Sequence, residues 1–173
     1  MSLTLHTTLG DLKVELYPAQ TPKTCENFLG LAASGSYDGT LFHRNLAGFM
    51  VQGGDPTNTG KGGTSIYGGA KFNDEIRSSL KFNSRGILAM ASSAPNTSQS
   101  QFFLTYAPLP HLDGKHTIFG RLIDGDDVLD RMEKLPVDAK GRPDNKGAEC
   151  RIQSITIHAN PIAKAARDEA GGR

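Results

Sequence analysis

The run Leu3-Thr4-Leu5-His6-Thr7-Thr8-Leu9-Gly10-Asp11-Leu12-Lys13-Val14-Glu15-Leu16 sets the architecture. Leu3, Leu5 and Thr7 alternate with their neighbours. After the turn, Leu12, Val14 and Leu16 alternate with Lys13 and Glu15. Successive strand side chains point to opposite faces, so this period of two predicts a β-hairpin with one apolar face, turned at Thr8-Leu9-Gly10-Asp11. At Thr21 the period changes. Thr21 suits an N-cap and Pro22 the first helical position, while Cys25, Phe28, Leu29 and Ala32 follow at helical spacing up to Gly35. That amphipathic helix needs an apolar partner, and a barrel end or a sheet face supplies one.

Further along, short apolar segments at 41–44, 48–53, 86–91, 101–106 and 115–121 are separated by Gly, Pro, Asn and Ser. This spacing predicts a sheet closed into a barrel or a sandwich. A second helix is expected over 126–134, with Asp126 and Asp127 at its start, Val128, Leu129 and Met132 as its stripe, and Pro136 beyond its end. A last strand runs from Ile152 to His158. The Ala-rich, charged tail 159–173 is expected to fray or form a loose helix. The expectation is one mainly β domain with two helices.

The whole chain, 173 residues, fits one domain with a core that needs no disulfide staples. Its 20 glycines fit a protein rich in tight turns. Nineteen basic against eighteen acidic residues leave +1, which lacks the basic footprint of a general nucleic-acid binder. Two cysteines make no disulfide framework, and Cys25 reads as a small core residue. With no secretory pattern at the N-terminus and no membrane-length apolar run, an intracellular, reducing location is expected. The sequon Asn96-Thr97-Ser98 is then a chance match.

Stock motifs fail. Gly54-Asp55-Pro56-Thr57-Asn58-Thr59-Gly60-Lys61-Gly62 resembles a phosphate loop, but its glycines are misspaced and Gly62 replaces the metal-holding hydroxyl. His111 and His116 flank one carboxylate without a third ligand, so no metal is expected. Two segments remain. In Phe42-His43-Arg44-Asn45-Leu46-Ala47-Gly48-Phe49-Met50-Val51-Gln52-Gly53-Gly54-Asp55, a strand over 48–53 puts Met50 and Gln52 on one face and Phe49 and Val51 on the other. A bulge turning Phe49 outward would bring Phe49, Met50, Arg44 and Gln52 together as an apolar slot with a polar rim. The alternative is that Phe49 and Met50 are core and Arg44 a solvated charge. In Ala91-Ser92-Ser93-Ala94-Pro95-Asn96-Thr97-Ser98-Gln99-Ser100-Gln101-Phe102-Phe103, a strand breaks into a small polar loop. Such a loop either offers backbone groups to an extended peptide or is a plain connector.

Together with Leu112-Asp113-Gly114-Lys115-His116, these blocks resemble the cyclophilin signature in order and spacing, over residues 2–160. Within that family the chain is most similar to the single-domain peptidyl-prolyl isomerase-like 3 subfamily, through Leu3-Thr4-Leu5-His6-Thr7, His111 before Leu112-Asp113, and Ile155-Thr156-Ile157-His158-Ala159-Asn160-Pro161. The resemblance implies a closed eight-stranded antiparallel β-barrel capped by two α-helices, with the domain at 1–160 and a flexible tail at 161–173. It implies a peptidyl-prolyl cis-trans isomerase with no cofactor and no metal. Arg44 would be catalytic, with Phe49 and Gln52 beside it. Met50, Phe103 and Leu112 would complete the slot for the proline ring, and His116 would line it. Ala91, Ser92, Ser93 and Gln101 would bind the substrate, Ser92 through its backbone. Lys61 and Gln99 would gate a side pocket for the residue two before the proline.

Two departures from the family pattern stand out. His111 occupies a position where many cyclophilins carry Trp, which implies weakened binding of cyclosporin. Ser92-Ser93-Ala94 replaces a common Asn-Ala-Gly run, and a backbone contact survives that change. The expected partners are proline-containing peptides and proteins, with spliceosomal proteins implied by the subfamily. Neither nucleic acid nor membrane is expected, the chain should be a monomer, and its place is the nucleus, the cytoplasm or both. The competing reading is a proline-binding scaffold in a nuclear complex, for which turnover would be incidental.

Overall fold

The computed structural model describes residues 1–158. The reading of 159–173 as a tail, including the boundary at 160, therefore lies outside the described residues. The hairpin forms as the alternation requires: β1 (Ser2–Thr7) pairs antiparallel with β2 (Gly10–Leu16), with Leu3 opposite Val14 and Leu5 opposite Leu12. These four side chains are fully buried. The first helix, α1 (Pro22–Ala33), starts at Thr21 with Pro22 in its first turn. Thr21 does not cap through its side chain; its hydroxyl donates back to the Tyr17 carbonyl. At the other end Gly35, at φ +78°, lets Ser36 N–H reach the Leu31 carbonyl and Gly35 N–H the Ala32 carbonyl, which closes the helix.

The remaining strands are β3 (Arg44–Leu46), β4 (Met50–Gly53), β5 (Ile87–Met90), β6 (Phe102–Thr105), β7 (Ile118–Asp124) and β8 (Ile152–Ile157), with α2 (Asp126–Glu133) between β7 and β8. The sheet order is β3-β4-β6-β5-β7-β2-β1-β8, and all seven pairings are antiparallel. The expected closed barrel is corrected here: the strand ladder is open, because β3 and β8 end it without pairing. The chain just before each of these strands carries a single bridge, Leu41 to Arg151, with Phe42 N–H donating to the Cys150 carbonyl. The apolar segment 41–44 therefore lies mostly ahead of its strand. Its Leu41 and Phe42 are spent on this contact, and regular pairing starts only at Arg44 opposite Gln52.

Two clusters divide the apolar side chains between the faces. The interior holds Leu3, Leu5, Val14, Val51, Leu88, Met90, Phe102, Leu104 and Phe119. Phe28 of α1 enters it within 5.3 Å of Phe102 and 5.1 Å of Phe119, ring centre to ring centre. Val128, Leu129 and Met132 of α2 join the same core. Cys25 is buried there, and burial pushes its thiol up to about 11, as suits a core residue. On the other face of β4, β5, β6 and β7 lie Met50, Ile87, Ala89, Phe103 and Ile118, covered by Phe82 and Leu109. Because both faces are covered, β5 and β6 are buried at every position and read as continuous apolar runs. The functional cleft opens on this second face.

Candidate functional site

The β3–β4 hairpin builds one wall. Leu46, Ala47, Gly48 and Phe49 form its turn: Phe49 N–H donates to the Leu46 carbonyl, and Gly48 takes φ +75°, which a side chain would resist. Register then places Arg44 opposite Gln52, and Gln52 opposite Phe103. These three side chains share the outer face with Met50, while Val51 and Asn45 point inward, where Asn45 donates to the Met132 carbonyl. Phe49 reaches the outer surface through the turn that precedes β4. The bulge expected to turn it outward is absent, and so is its expected place on the face of Val51.

The resulting cleft holds about 600 Å³. Of the residues expected from the sequence, Arg44, Phe49, Met50, Gln52, Lys61, Ala91, Ser92, Ser93, Gln99, Gln101, Phe103, Leu112 and His116 all line it. His111 does not line it. It stands exposed at the rim with its ring 6.0 Å from that of Phe49. Lys71 and Thr97 line the cleft as well and carried no separate sequence signal beyond their loops.

Its two halves differ in chemistry. One half is apolar: Met50 is the floor, Phe103 stacks on Phe82 at 5.9 Å and 7°, and His116 meets the Phe103 ring edge-on at 5.6 Å. Burial holds the His116 imidazole below its ordinary value, against the opposing pull of Nδ1 hydrogen-bonded to the Met90 carbonyl at 3.1 Å. His116 is thus neutral at pH 7 and works as a wall. Over this half stands Arg44, its guanidinium carbon 5.9 Å from the Phe49 ring centre. Among the described residues no carboxylate pairs with Arg44, so its charge faces the cleft uncompensated.

A hydrogen-bonded series sets the polar side. Gln52 Nε2 donates to Gln101 Oε1 at 2.8 Å, and Gln101 Nε2 donates to the carbonyls of Gly60 and Gly62 at 3.0 and 2.7 Å. Those carbonyls belong to the stretch that mimics a phosphate loop. Its geometry comes from Asp55, fully buried, which accepts from Thr57 N–H and hydroxyl and from the N–H groups of Gly60 and Gly62. Burial alone would raise the Asp55 carboxyl. The hydrogen bonds from Thr57, Gly62 and Gly60 outweigh it and hold it below the usual carboxylate range. Asp55 is a positioning residue that the sequence reading missed. Asp55→Ala should cost about 2–3 kcal/mol of stability, since it removes the one charged acceptor shared by the N–H groups of Thr57, Gly60 and Gly62. It should also raise KM several-fold through the freed Gln101, and denaturant melts with peptide kinetics check both.

The loop after β5 supplies the last element. Ala91 N–H still pairs with the Gln101 carbonyl, but the backbone N–H and C=O of Ser92 have no partner among the described residues. A strand edge left open beside a cleft can add an extended peptide through main-chain hydrogen bonds. Ser92 Oγ lies 3.4 Å from His116 Nδ1, but that nitrogen donates to the Met90 carbonyl at 3.1 Å and so carries its proton rather than serving Ser92 as a base. Among the described residues no cluster of His, Cys, Asp and Glu could bind a metal. The arrangement can bind an extended peptide, bury one small ring and place a cation over that ring.

Comparison with known proteins agrees. Residues 2–157 match the family described as cyclophilin type peptidyl-prolyl cis-trans isomerase/CLD. The chain is 63% identical over 170 residues to a peptidyl-prolyl cis-trans isomerase-like 3 of Rhizopus delemar, covering 94% of this chain and 98% of that one. It is 58% identical to the Homo sapiens protein of the same name, covering 95% and 100%. Its fold is similar, at a TM-score of 0.87 and 52% identity, to the crystal structure of a Cryptosporidium parvum cyclophilin type peptidyl-prolyl cis-trans isomerase in the presence of the dipeptide Ala-Pro, covering 92% of this chain and 100% of that one. No helix among the described residues is long and apolar enough to cross a membrane. With the family match spanning nearly all described residues and these relatives aligned almost end to end, the chain belongs to the cyclophilin-type peptidyl-prolyl cis-trans isomerases.

Proposed function

We propose that Arg44 is the residue through which this isomerase accelerates rotation about Xaa-Pro bonds in protein clients. The observation that carries the reading is an unpaired guanidinium held over an apolar slot, 5.9 Å from the Phe49 ring centre. The prolyl ring sits among Phe49, Met50, Phe103, Leu112 and His116. Gln52, fixed by Gln101, hydrogen-bonds the substrate carbonyl or steadies Arg44. Ser92 pairs with the peptide backbone, with Ala91 and Ser93 on either side. Rotation breaks amide conjugation, localises a lone pair on the prolyl nitrogen and removes the double-bond character that makes the barrier ~18–20 kcal/mol. Guanidinium N–H groups aimed at that lone pair bind the twisted state better than either planar isomer, which is the whole requirement for catalysis.

A refolding protein whose slow phase is limited by a proline provides the test, because uncatalysed isomerisation takes tens of seconds or longer. Catalytic amounts of this chain should shorten that phase in proportion to concentration. An unchanged slow phase would favour the scaffold reading, in which the cleft holds proline segments without turning them over.

The physiological setting we propose is a spliceosomal assembly reached from the nucleus or cytoplasm, with the chain acting as a monomer and without contacting RNA itself. Its support is the likeness to the isomerase-like 3 proteins. Cyclosporin should bind weakly, because His111 offers a smaller ring at the rim than an indole. His111→Trp should tighten cyclosporin by about tenfold or more while changing peptide turnover little, as titration of the two proteins would reveal.

A further inference from the structure

The tip of the β3–β4 hairpin carries Phe49 to the cleft, yet its outer side is open. Ala47 and Gly48 are exposed, and a Cβ added at Gly48 would meet nothing within 4 Å. Hydrogen bonds fix the turn instead. Phe49 N–H donates to the Leu46 carbonyl within it, and Tyr106 N–H, just beyond β6, donates to the Phe49 carbonyl at 2.9 Å. A third bond comes from outside the sheet. Gly48 N–H donates at 2.7 Å to Oε2 of Glu133, the last residue of α2. A carboxylate acceptor makes this the strongest kind of tie of the three.

Glu133 is itself held in place. Its other oxygen accepts from Arg85 Nη1 at 2.8 Å. Arg85 also donates to the Tyr106 carbonyl at 3.1 Å and to Asp130 at 2.5 Å, with its guanidinium carbon 5.4 Å from the Tyr106 ring centre. The Tyr106 hydroxyl donates to Asn45 Oδ1, and Asn45 donates to the Met132 carbonyl. Helix α2, β3 and the end of β6 thus form one bonded unit behind the turn. Neither Glu133 nor Arg85 lines the cleft. Their ion pair is partly exposed, at 24% and 27%, and such pairs add little to stability.

We infer that Glu133 is a positioning residue for isomerisation: its carboxylate anchors the turn at Gly48 and so keeps the Phe49 ring under the Arg44 guanidinium. The inference rests on the isomerase reading of the cleft. With Glu133 removed, water can satisfy the exposed Gly48 N–H but cannot fix where the turn stands. A displacement of about 1 Å at a reacting centre can cost about 10²-fold in rate. Binding tolerates more, because Met50, Phe103 and Leu112 line the slot independently of the turn.

The test compares kcat, KM and the denaturant midpoint on one Xaa-Pro peptide for wild type, Glu133→Ala, Glu133→Gln and Asp130→Ala. Glu133→Ala should lower kcat about tenfold and change KM by less than about twofold. Glu133→Gln should recover most of that loss, since its amide oxygen still accepts from Gly48 N–H while Arg85 keeps Asp130 and the Tyr106 carbonyl. Asp130→Ala takes a carboxylate from the same arginine without touching the turn, so it should keep the wild-type kcat and lose as much stability as Glu133→Ala. An unchanged kcat in Glu133→Ala overturns the inference, and so does an equal loss in Asp130→Ala. A loss confined to KM, a Gln variant as slow as the Ala variant, or a Glu133→Ala protein that does not fold also overturns it. Each of these leaves the isomerase standing. A wild type that turns over no peptide overturns both.

Discussion

Arg44→Ala should lower kcat/KM on a Xaa-Pro peptide by about 10²–10³-fold, with the loss in kcat and the peptide still bound. That magnitude is what removal of one preorganised donor from a developing charge costs in other enzymes, about 2.7–4 kcal/mol. Binding should survive, because the slot proposed for the proline ring is lined by Met50, Phe103 and Leu112, apolar side chains that the substitution leaves in place. Arg44→Lys should recover only part of the loss. An ammonium restores the charge but not the planar fork of donors that the proposed mechanism aims at the prolyl nitrogen. A variant that kept kcat and lost only affinity would make Arg44 a binding residue and remove the proposed mechanism. Steady-state kinetics over a range of peptide concentrations separates the two.

The largest effect on stability is expected at Phe102. It is fully buried on β6 and meets Phe28, Tyr37 and Phe42 edge-on, at 5.3, 5.4 and 6.1 Å between ring centres. These rings come from α1, the segment after it and the approach to β3. Phe102 therefore joins the helix to the strands around it. Phe102→Ala should cost about 3–5 kcal/mol, the transfer term for the ring plus the cavity it leaves. Against a total of about 5–15 kcal/mol this is about a fifth or more of the stability. The denaturant midpoint should fall with little change in slope. A loss under 1 kcal/mol would mean that the aromatic cluster repacks and that Phe102 does not organise the core.

Much of this fold is legible in the residues. Alternation in β1 and β2 and the helical spacing of Cys25, Phe28, Leu29 and Ala32 are local patterns, and local patterns survive folding. What the sequence hides is set by distant partners. The segment at Leu41 and Phe42 is as apolar as a strand, yet its contact at Arg151 decides that regular pairing waits until Arg44. Phe49 faces the cleft because a turn at Gly48 carries it there, and period two over 48–53 assigns it to the wrong face. Closure of the sheet depends on whether β3 meets β8, strands more than a hundred residues apart, and no spacing rule reaches that far.

The site follows the same division. The segment around Arg44 and Gln52 suggests an apolar slot with a polar rim, because charged, amide and aromatic side chains stand close together, but by itself it leaves open a core Phe49 and Met50 with a solvated Arg44. Their assembly with Phe103, Leu112 and His116 came from family resemblance, and the cleft brings these residues together. Asp55 went unnoticed because its work is indirect. It bonds backbone amides in its own loop, and only the loop carbonyls beyond them touch Gln101. Lys71 had no motif around it, and only the fold brings it to the cleft wall.

The central claim, that a guanidinium over an apolar slot drives prolyl rotation, is tested most directly by exchange NMR on one Xaa-Pro peptide with wild type and Arg44→Ala at equal concentration. The account predicts strong cis-trans exchange with wild type and little with the variant, while the peptide shifts move in both. Equal exchange with the two proteins would contradict it.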